Sequence, residues 1–142
     1  MLNKFVNNSS EHSVSLDKLD SHVKDVWHNI LEKKVLSGFD KNKKPYVIYL
    51  NGDLGAGKTT WTRGLLRYLG VDGAIKSPTF NYVIEYKIDD KTNNSAVGCI
   101  YHFDLYRIES LDIYAFLDLG LDELFKLNYN KPCLCIIEWP KR

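Results

Sequence analysis

Gly52, Gly57, Lys58 and Thr59 stand in the pattern G-x-x-x-x-G-K-[ST]. In this spacing glycines let successive backbone N–H groups converge on phosphate oxygens without side-chain obstruction, and Gly55 adds freedom inside the loop. Lys58 would neutralise the β- and γ-phosphates of a nucleotide, and Thr59 would offer its hydroxyl to Mg²⁺. A helix following directly would aim its positive N-terminus at the same anion. By average composition a chain of this length holds the bare pattern by chance about once in two hundred sequences. What flanks the loop therefore decides its meaning.

Phosphoryl chemistry also needs an acid at the end of a neighbouring strand to hold Mg²⁺ or its water shell. Asp104 closes the run Val97 to Phe103, and Glu138 closes Cys133 to Ile137. At the C-terminal edge of an open α/β sheet, where such folds bind ligands, the two carboxylates could converge on one metal. Two other readings stay open at this level: Asp104 capping the next turn, and Glu138 as a solvent-exposed edge residue. Ser77, Pro78, Thr79 and Phe80 lie between loop and acid. Their hydroxyls could sense a γ-phosphate, although Ser, Pro and Thr are also ordinary turn residues.

The elements that must position these groups follow from hydrophobic period. Leu16, Leu19, Val23, Val26, Ile30 and Leu31 recur at helical spacing behind Ser15, an N-cap candidate, with Asp17 and Asp20 near the positive helix end. After the polar joint Lys41 to Pro45, the unbroken run Tyr46 to Leu50 predicts a strand buried on both faces. The glycine-rich loop comes next, and Trp61, Leu65, Leu66 and Leu69 then mark a helix face ending at Gly70. Strand, loop and helix thus stand in the order the motif demands.

Phe80, Tyr82, Ile84 and Tyr86 alternate with Asn81, Glu85 and Lys87, and Val97, Cys99, Tyr101 and Phe103 form a second alternating stretch beyond the polar turn Asp89 to Ser95. This pattern predicts an antiparallel hairpin running into Asp104. Short helices are expected over Leu111 to Leu117 and Leu121 to Leu127, and a last strand over Cys133 to Trp139. Pro140 cannot continue central-strand pairing. The whole predicts one α/β domain over residues 1–142, a P-loop NTPase-type three-layer fold with a mixed, mainly parallel central sheet and an antiparallel hairpin insertion.

Composition narrows the function classes. A length of 142 residues with 44% hydrophobic content predicts a single core that folds without staples. Nineteen Lys plus Arg against eighteen Asp plus Glu leave a formal charge of +1, so no global basic field drives binding to polyanions, and any nucleic-acid contact must be local or borrowed from a partner. Cys99, Cys133 and Cys135 make an odd count without paired zinc spacing. They are expected as buried thiols in a reducing, cytoplasmic setting. A metal reading would need Cys99 or His102 brought near Cys133 and Cys135 by folding. With no apolar run of signal-peptide or membrane-spanning length, a protein neither exported nor membrane-embedded is expected.

Four blocks together carry a resemblance: GDLGAGKTT from Gly52 to Thr60, SPTF from Ser77 to Phe80, HFDLYR from His102 to Arg107, and IEWP from Ile137 to Pro140. In order and spacing they resemble the TsaE (YjeE-type) ATPase family. Generic P-loop proteins share the first block but not the other three, and the likeness covers most of the chain from Tyr46 onward. The resemblance implies a small Mg²⁺-dependent ATPase, weak in isolation, that works with TsaB and TsaD in making N6-threonylcarbamoyladenosine at position 37 of tRNAs reading ANN codons. Contact with tRNA would be indirect, through that complex, with no membrane and no structural zinc.

By motif, Gly52, Leu54, Gly55, Ala56, Gly57, Lys58, Thr59 and Thr60 resemble the family's ATP/ADP-binding loop, Thr79 its switch-like threonine and Trp139 its tryptophan beside the nucleotide. Asp104 resembles the Walker B acid and Glu138 the second metal-linked acid, so that Lys58, Asp104 and Glu138 are the expected catalytic residues and Thr59, Asp104 and Glu138 the expected Mg²⁺ contacts. The likeness leaves open whether Glu138 orients the attacking water or completes the metal shell. Family members usually continue beyond IEWP into further strand, whereas this chain stops at Arg142, which leaves sheet completion and late nucleotide contacts open.

Other features carry less. Asn130, Lys131 and Pro132 begin like a guanine-reading motif, but Cys133 stands where an acid must pair with the base, so GTP specificity is not expected. Trp27, Trp61 and the tyrosines are expected to fill core rather than stack bases, given the neutral charge. Two rival functions remain. One is a small-molecule P-loop kinase, for which Arg63, Arg67 and Arg107 are present but no lid-like insertion is visible. The other is a nucleotide-controlled assembly switch without essential turnover.

Overall fold

The computed structural model describes residues 14–39, 45–78, 81–89, 96–108, 113–118, 120, 122–123 and 130–139. A 3-10 turn, Leu16–Lys18, leads into α1 (Leu19–Val26), a π-helical turn Trp27–Leu31, and α2 (Glu32–Ser37). Strand β1 (Tyr46–Leu50), the glycine-rich loop and α3 (Lys58–Tyr68) follow, then β2 (Val83–Lys87), β3 (Cys99–Asp104), α4 (Ile113–Asp118) and β4 (Cys133–Glu138). The strands form one mixed sheet in the order β1-β4-β3-β2. Both β1–β4 and β4–β3 are parallel, while β2–β3 is antiparallel with Val83 opposite Phe103 and Lys87 opposite Cys99. A mixed α/β fold of P-loop NTPase type, with the hairpin, is thus present.

Strand alternation sorts the core into two faces. On one, Ile100, Leu134 and Ile136 pack with Val23, Trp27, Leu31 and Val35 of the first helical run and Leu65, Leu66 and Leu69 of the loop helix, with Tyr46, Ile48 and Leu50 partly buried against them. On the other lie Cys99, Tyr101, Phe103, Cys133 and Cys135. A strict spacing of four from Val23 to Val35 overruns a 3.6-residue turn by about 40° per step, and the looser π turn lets the stripe stay on one side. Gly64 lets α3 approach α1 closely: a Cβ there would stand 3.2 Å from Val23 Cγ2.

Several expectations are corrected. Leu16 is exposed rather than part of the buried face, while Trp27 and Val35 join Val23 and Leu31 at its centre. Ser15 occupies the N-cap but makes no side-chain cap bond; its carbonyl accepts from Lys18 N instead. Among the described residues, strand β1 is half-buried and stands at the edge of the sheet, not buried on both faces, because an apolar run cannot distinguish edge from centre. The hairpin starts at Val83, since Tyr82 at φ 60° leaves extended backbone. Trp139, also at φ 60°, ends β4 one residue earlier than expected.

The cysteine expectation holds for Cys135, a buried free thiol, but not for its neighbours: Cys99 and Cys133 form a disulfide. The parallel register sets these two residues opposite each other with Cα atoms 4.9 Å apart, a separation that suits the bond. Spacing along one strand carries no information about a partner on the next. Phe80, Leu111, most of Leu121 to Leu127, Pro140 and most of the Asp89 to Ser95 turn lie outside the described residues.

Candidate functional site

The loop between β1 and α3 is closed by short-range contacts that only its residue types allow. A Cβ on Gly52 would stand 3.0 Å from that of Ala56, so the chain can fold back on itself here only without a side chain. Gly57, the N-cap of α3, sits at φ 88°, and a Cβ there would meet nothing within 4 Å. The loop therefore turns in the left-handed region around open space, and its wall is backbone. The first N–H groups of α3 border this space, where a helix favours an anion. Nucleotide phosphates suit such a cradle.

Lys58 opens α3 and is largely buried. Its ammonium donates to the carbonyls of Gly52 (2.7 Å) and Asp53 (2.8 Å), and lies 3.7 Å from the centre of the Trp139 ring. An ammonium carries three protons, and these carbonyl bonds use two. The positive φ of Trp139 swings its indole out of β4 to cap the charge, and Tyr106 packs against the same ring at 4.9 Å between centroids. Such a capped, part-buried cation gains from the ring's negative face.

Asp104 and Glu138 are register partners at the ends of β3 and β4. Alternation puts both on the sheet face that α3 covers, and both are buried, at 7% and 2% exposure. Glu138 is thus no solvent-exposed edge residue. Its Oε2 accepts from Thr59 Oγ1 at 2.9 Å, a bond spanning 79 residues of sequence, and its Oε1 accepts from His102 Nε2 at 2.7 Å. Asp104 Oδ1 accepts from Tyr106 N at 2.9 Å, so it does cap the following turn, and it also faces the loop. Thr59, Asp104 and Glu138 offer only oxygen, the donor chemistry that a hard cation such as Mg²⁺ takes.

One cleft of about 370 Å³ gathers Leu54, Gly55, Ala56, Gly57, Lys58, Thr59, Thr60, Asp104, Glu138 and Trp139, a volume within the range of small-molecule sites. Gly52 sits at the loop's base, where its carbonyl takes the Lys58 bond. Thr79 lies outside the described residues. Ser77, one of the candidate γ-phosphate-sensing hydroxyls, also lines the cleft, together with two residues that were not assigned to it from the sequence, Tyr106 and Arg107. Tyr106 and Arg107 follow Asp104 on a turn tied back to that acid, so nearness to the strand-end carboxylate was the available signal. His102 was legible too, as a polar residue on the apolar face of β3 two positions before Asp104.

Comparison with known proteins bears on this arrangement. The family model described as "Threonylcarbamoyl adenosine biosynthesis protein TsaE" matches residues 22–142. A Haemophilus influenzae protein named "tRNA threonylcarbamoyladenosine biosynthesis protein TsaE" is 44% identical over 100 residues, 70% of this chain and 55% of that relative. A Bacillus subtilis protein of the same name is 42% identical over 93 residues, 66% of this chain and 49% of its own length. A Synechocystis relative, again so named, is 34% identical over 134 residues, covering 94% of this chain and 74% of the relative. The matches span about half the length of the first two relatives.

Proposed function

This chain belongs to the TsaE family of tRNA threonylcarbamoyladenosine biosynthesis, and from that premise we propose that it binds Mg-ATP in the loop cleft and hydrolyses it. The hydrolysis would serve threonylcarbamoyl modification of adenosine 37 in ANN-decoding tRNAs, with TsaB and TsaD as partners in the cytoplasm. The observation that carries the reading is the meeting of Thr59, Asp104 and Glu138 beside Lys58 at one loop.

In this reading the loop and α3 N-terminus hold the phosphates by backbone N–H groups, and Lys58 gives its remaining proton to a phosphate oxygen. Trp139 and the two loop carbonyls keep that ammonium at the cleft wall, so its charge is already in place when the anion arrives. Thr59, Asp104 and Glu138 would hold Mg²⁺, which when bound draws charge from the β- and γ-phosphate oxygens. Because Glu138 takes the Thr59 proton, the lone pairs of the threonine oxygen remain for a cation. With Asp104 tied to the turn after β3 and Glu138 held at both oxygens, neither acid needs to reorganise during the reaction.

The deciding experiment measures ADP release from Mg-ATP by the purified chain, alone and with TsaB and TsaD. Turnover that rises with the partners supports the accessory-ATPase reading. Nucleotide binding with no ADP release under either condition would leave the assembly-switch reading and remove this one.

A further inference from the structure

We infer that His102 is a positioning residue for Glu138, fixing the orientation of its carboxylate at the loop; the inference rests on the nucleotide-hydrolysing reading of this site. The position is one where the fold otherwise puts aliphatic residues. On the same face of the same two strands stand Ile100, Leu134 and Ile136, all fully buried, and the register partner of His102 is Ile136. His102 is itself 0% exposed. An imidazole buried there gives up its water contacts and is tolerated only for what it bonds.

Among the described residues its ring bonds to one group. Nε2 meets Glu138 Oε1 at 2.7 Å, and since a carboxylate only accepts, that nitrogen carries the proton. Nδ1 is buried without a hydrogen-bond partner among the described residues, so the ring's polar capacity there is committed to Glu138. The Thr59 hydroxyl holds the other oxygen. A glutamate side chain has several rotatable bonds and considerable rotamer freedom; held at Oε1 from β3 and at Oε2 from α3, it is confined to one orientation. His102 does not line the cleft, so it acts through Glu138 and not on a bound molecule.

The test exploits the two ring nitrogens. In His102→Gln the side-chain amide reaches about as far as Nε2, whereas in His102→Asn it stops near Nδ1, short of Glu138. Both are buried polar amides. With the full chain, kcat for Mg-ATP should remain within about threefold of the parent in His102→Gln and fall at least about tenfold in His102→Asn, with KM little changed in either. Independently of turnover, the factor by which Mg²⁺ tightens ADP binding, followed by tryptophan fluorescence, should survive in His102→Gln and shrink in His102→Asn. Equal behaviour of the two variants in both assays would overturn the assignment.

Should the unaltered chain show no ATPase activity, the reading of the site fails, and the Mg²⁺-dependent ADP affinities still judge His102. Should neither variant fold, proton NMR of the parent decides: the His102 Nε2–H resonance should lie far downfield and move upfield in Glu138→Gln. Its absence, or its indifference to that substitution, would exclude the pairing and with it the proposal.

Discussion

The Lys58 ammonium lies 3.7 Å from the centre of the Trp139 ring while donating to the carbonyls of Gly52 and Asp53. The charge that the loop motif demands is thus held by a residue eighty-one positions later, at the end of a different strand. An anion that draws on this ammonium changes the electrostatic environment of the indole. Addition of ADP or ATP should therefore alter tryptophan emission, and Trp139→Phe should abolish most of the change although Trp27 and Trp61 remain. A full-sized signal in Trp139→Phe would show that the indole does not report the loop.

Lys58→Ala should weaken ATP binding by about 2 kcal/mol, the scale of a charge-assisted hydrogen bond. That corresponds to roughly a thirtyfold rise in Kd. Isothermal titration calorimetry measures it directly, and an unchanged affinity would remove Lys58 from the phosphate site.

Asp104→Asn and Glu138→Gln should each keep measurable nucleotide binding while lowering Mg²⁺-dependent hydrolysis, because they alter the metal's donors more than the phosphate cradle. The two should differ in stability. Glu138 accepts at both oxygens, from His102 and Thr59, so a glutamine there sets an N–H₂ group against one of two donors. A buried mismatch of this kind costs about 1–3 kcal/mol. Denaturant titration should show Glu138→Gln destabilised in that range, and full ATPase activity in both variants would refute the two-acid site.

Burial pushes the Cys135 thiol up from 9.0 to about 12. Between those values the unfolded chain has lost this proton and the native chain still holds it, so the unfolded state gains from rising pH. The stabilising contribution is complete below about pH 9 and declines above it, by at most about 1.4 kcal/mol per pH unit. Unfolding free energies compared at pH 8 and pH 10.5 should fall more steeply for the parent than for Cys135→Ala. Parallel declines would mean that the thiol does not titrate on unfolding as its burial implies.

Much of the fold was legible along the chain because its signals are local. The loop pattern with an apolar strand before it and a helical stripe behind it, the alternation on either side of Asp89, and the acid closing each of two apolar runs all involve residues a few positions apart. Period and spacing report such relationships directly. Where local backbone geometry departed from the period, as at Tyr82 and Trp139 with φ 60°, the boundaries moved by a few residues.

The relationships that build the site are of another kind. That β1 lies at the edge of the described sheet, that Cys99 faces Cys133, that Asp104 faces Glu138 and that His102 meets Glu138 follow from strand order and register, and Thr59 reaches the same carboxylate from α3. Partners there are separated by tens of residues, and no periodicity encodes which strand lies beside which. By itself the sequence determined the chemical types present and their position at strand ends or in the loop. Only the tertiary structure decided which of them meet, because pairing depends on how the whole sheet closes its core, and a one-residue slip would have turned each of these side chains to the opposite face.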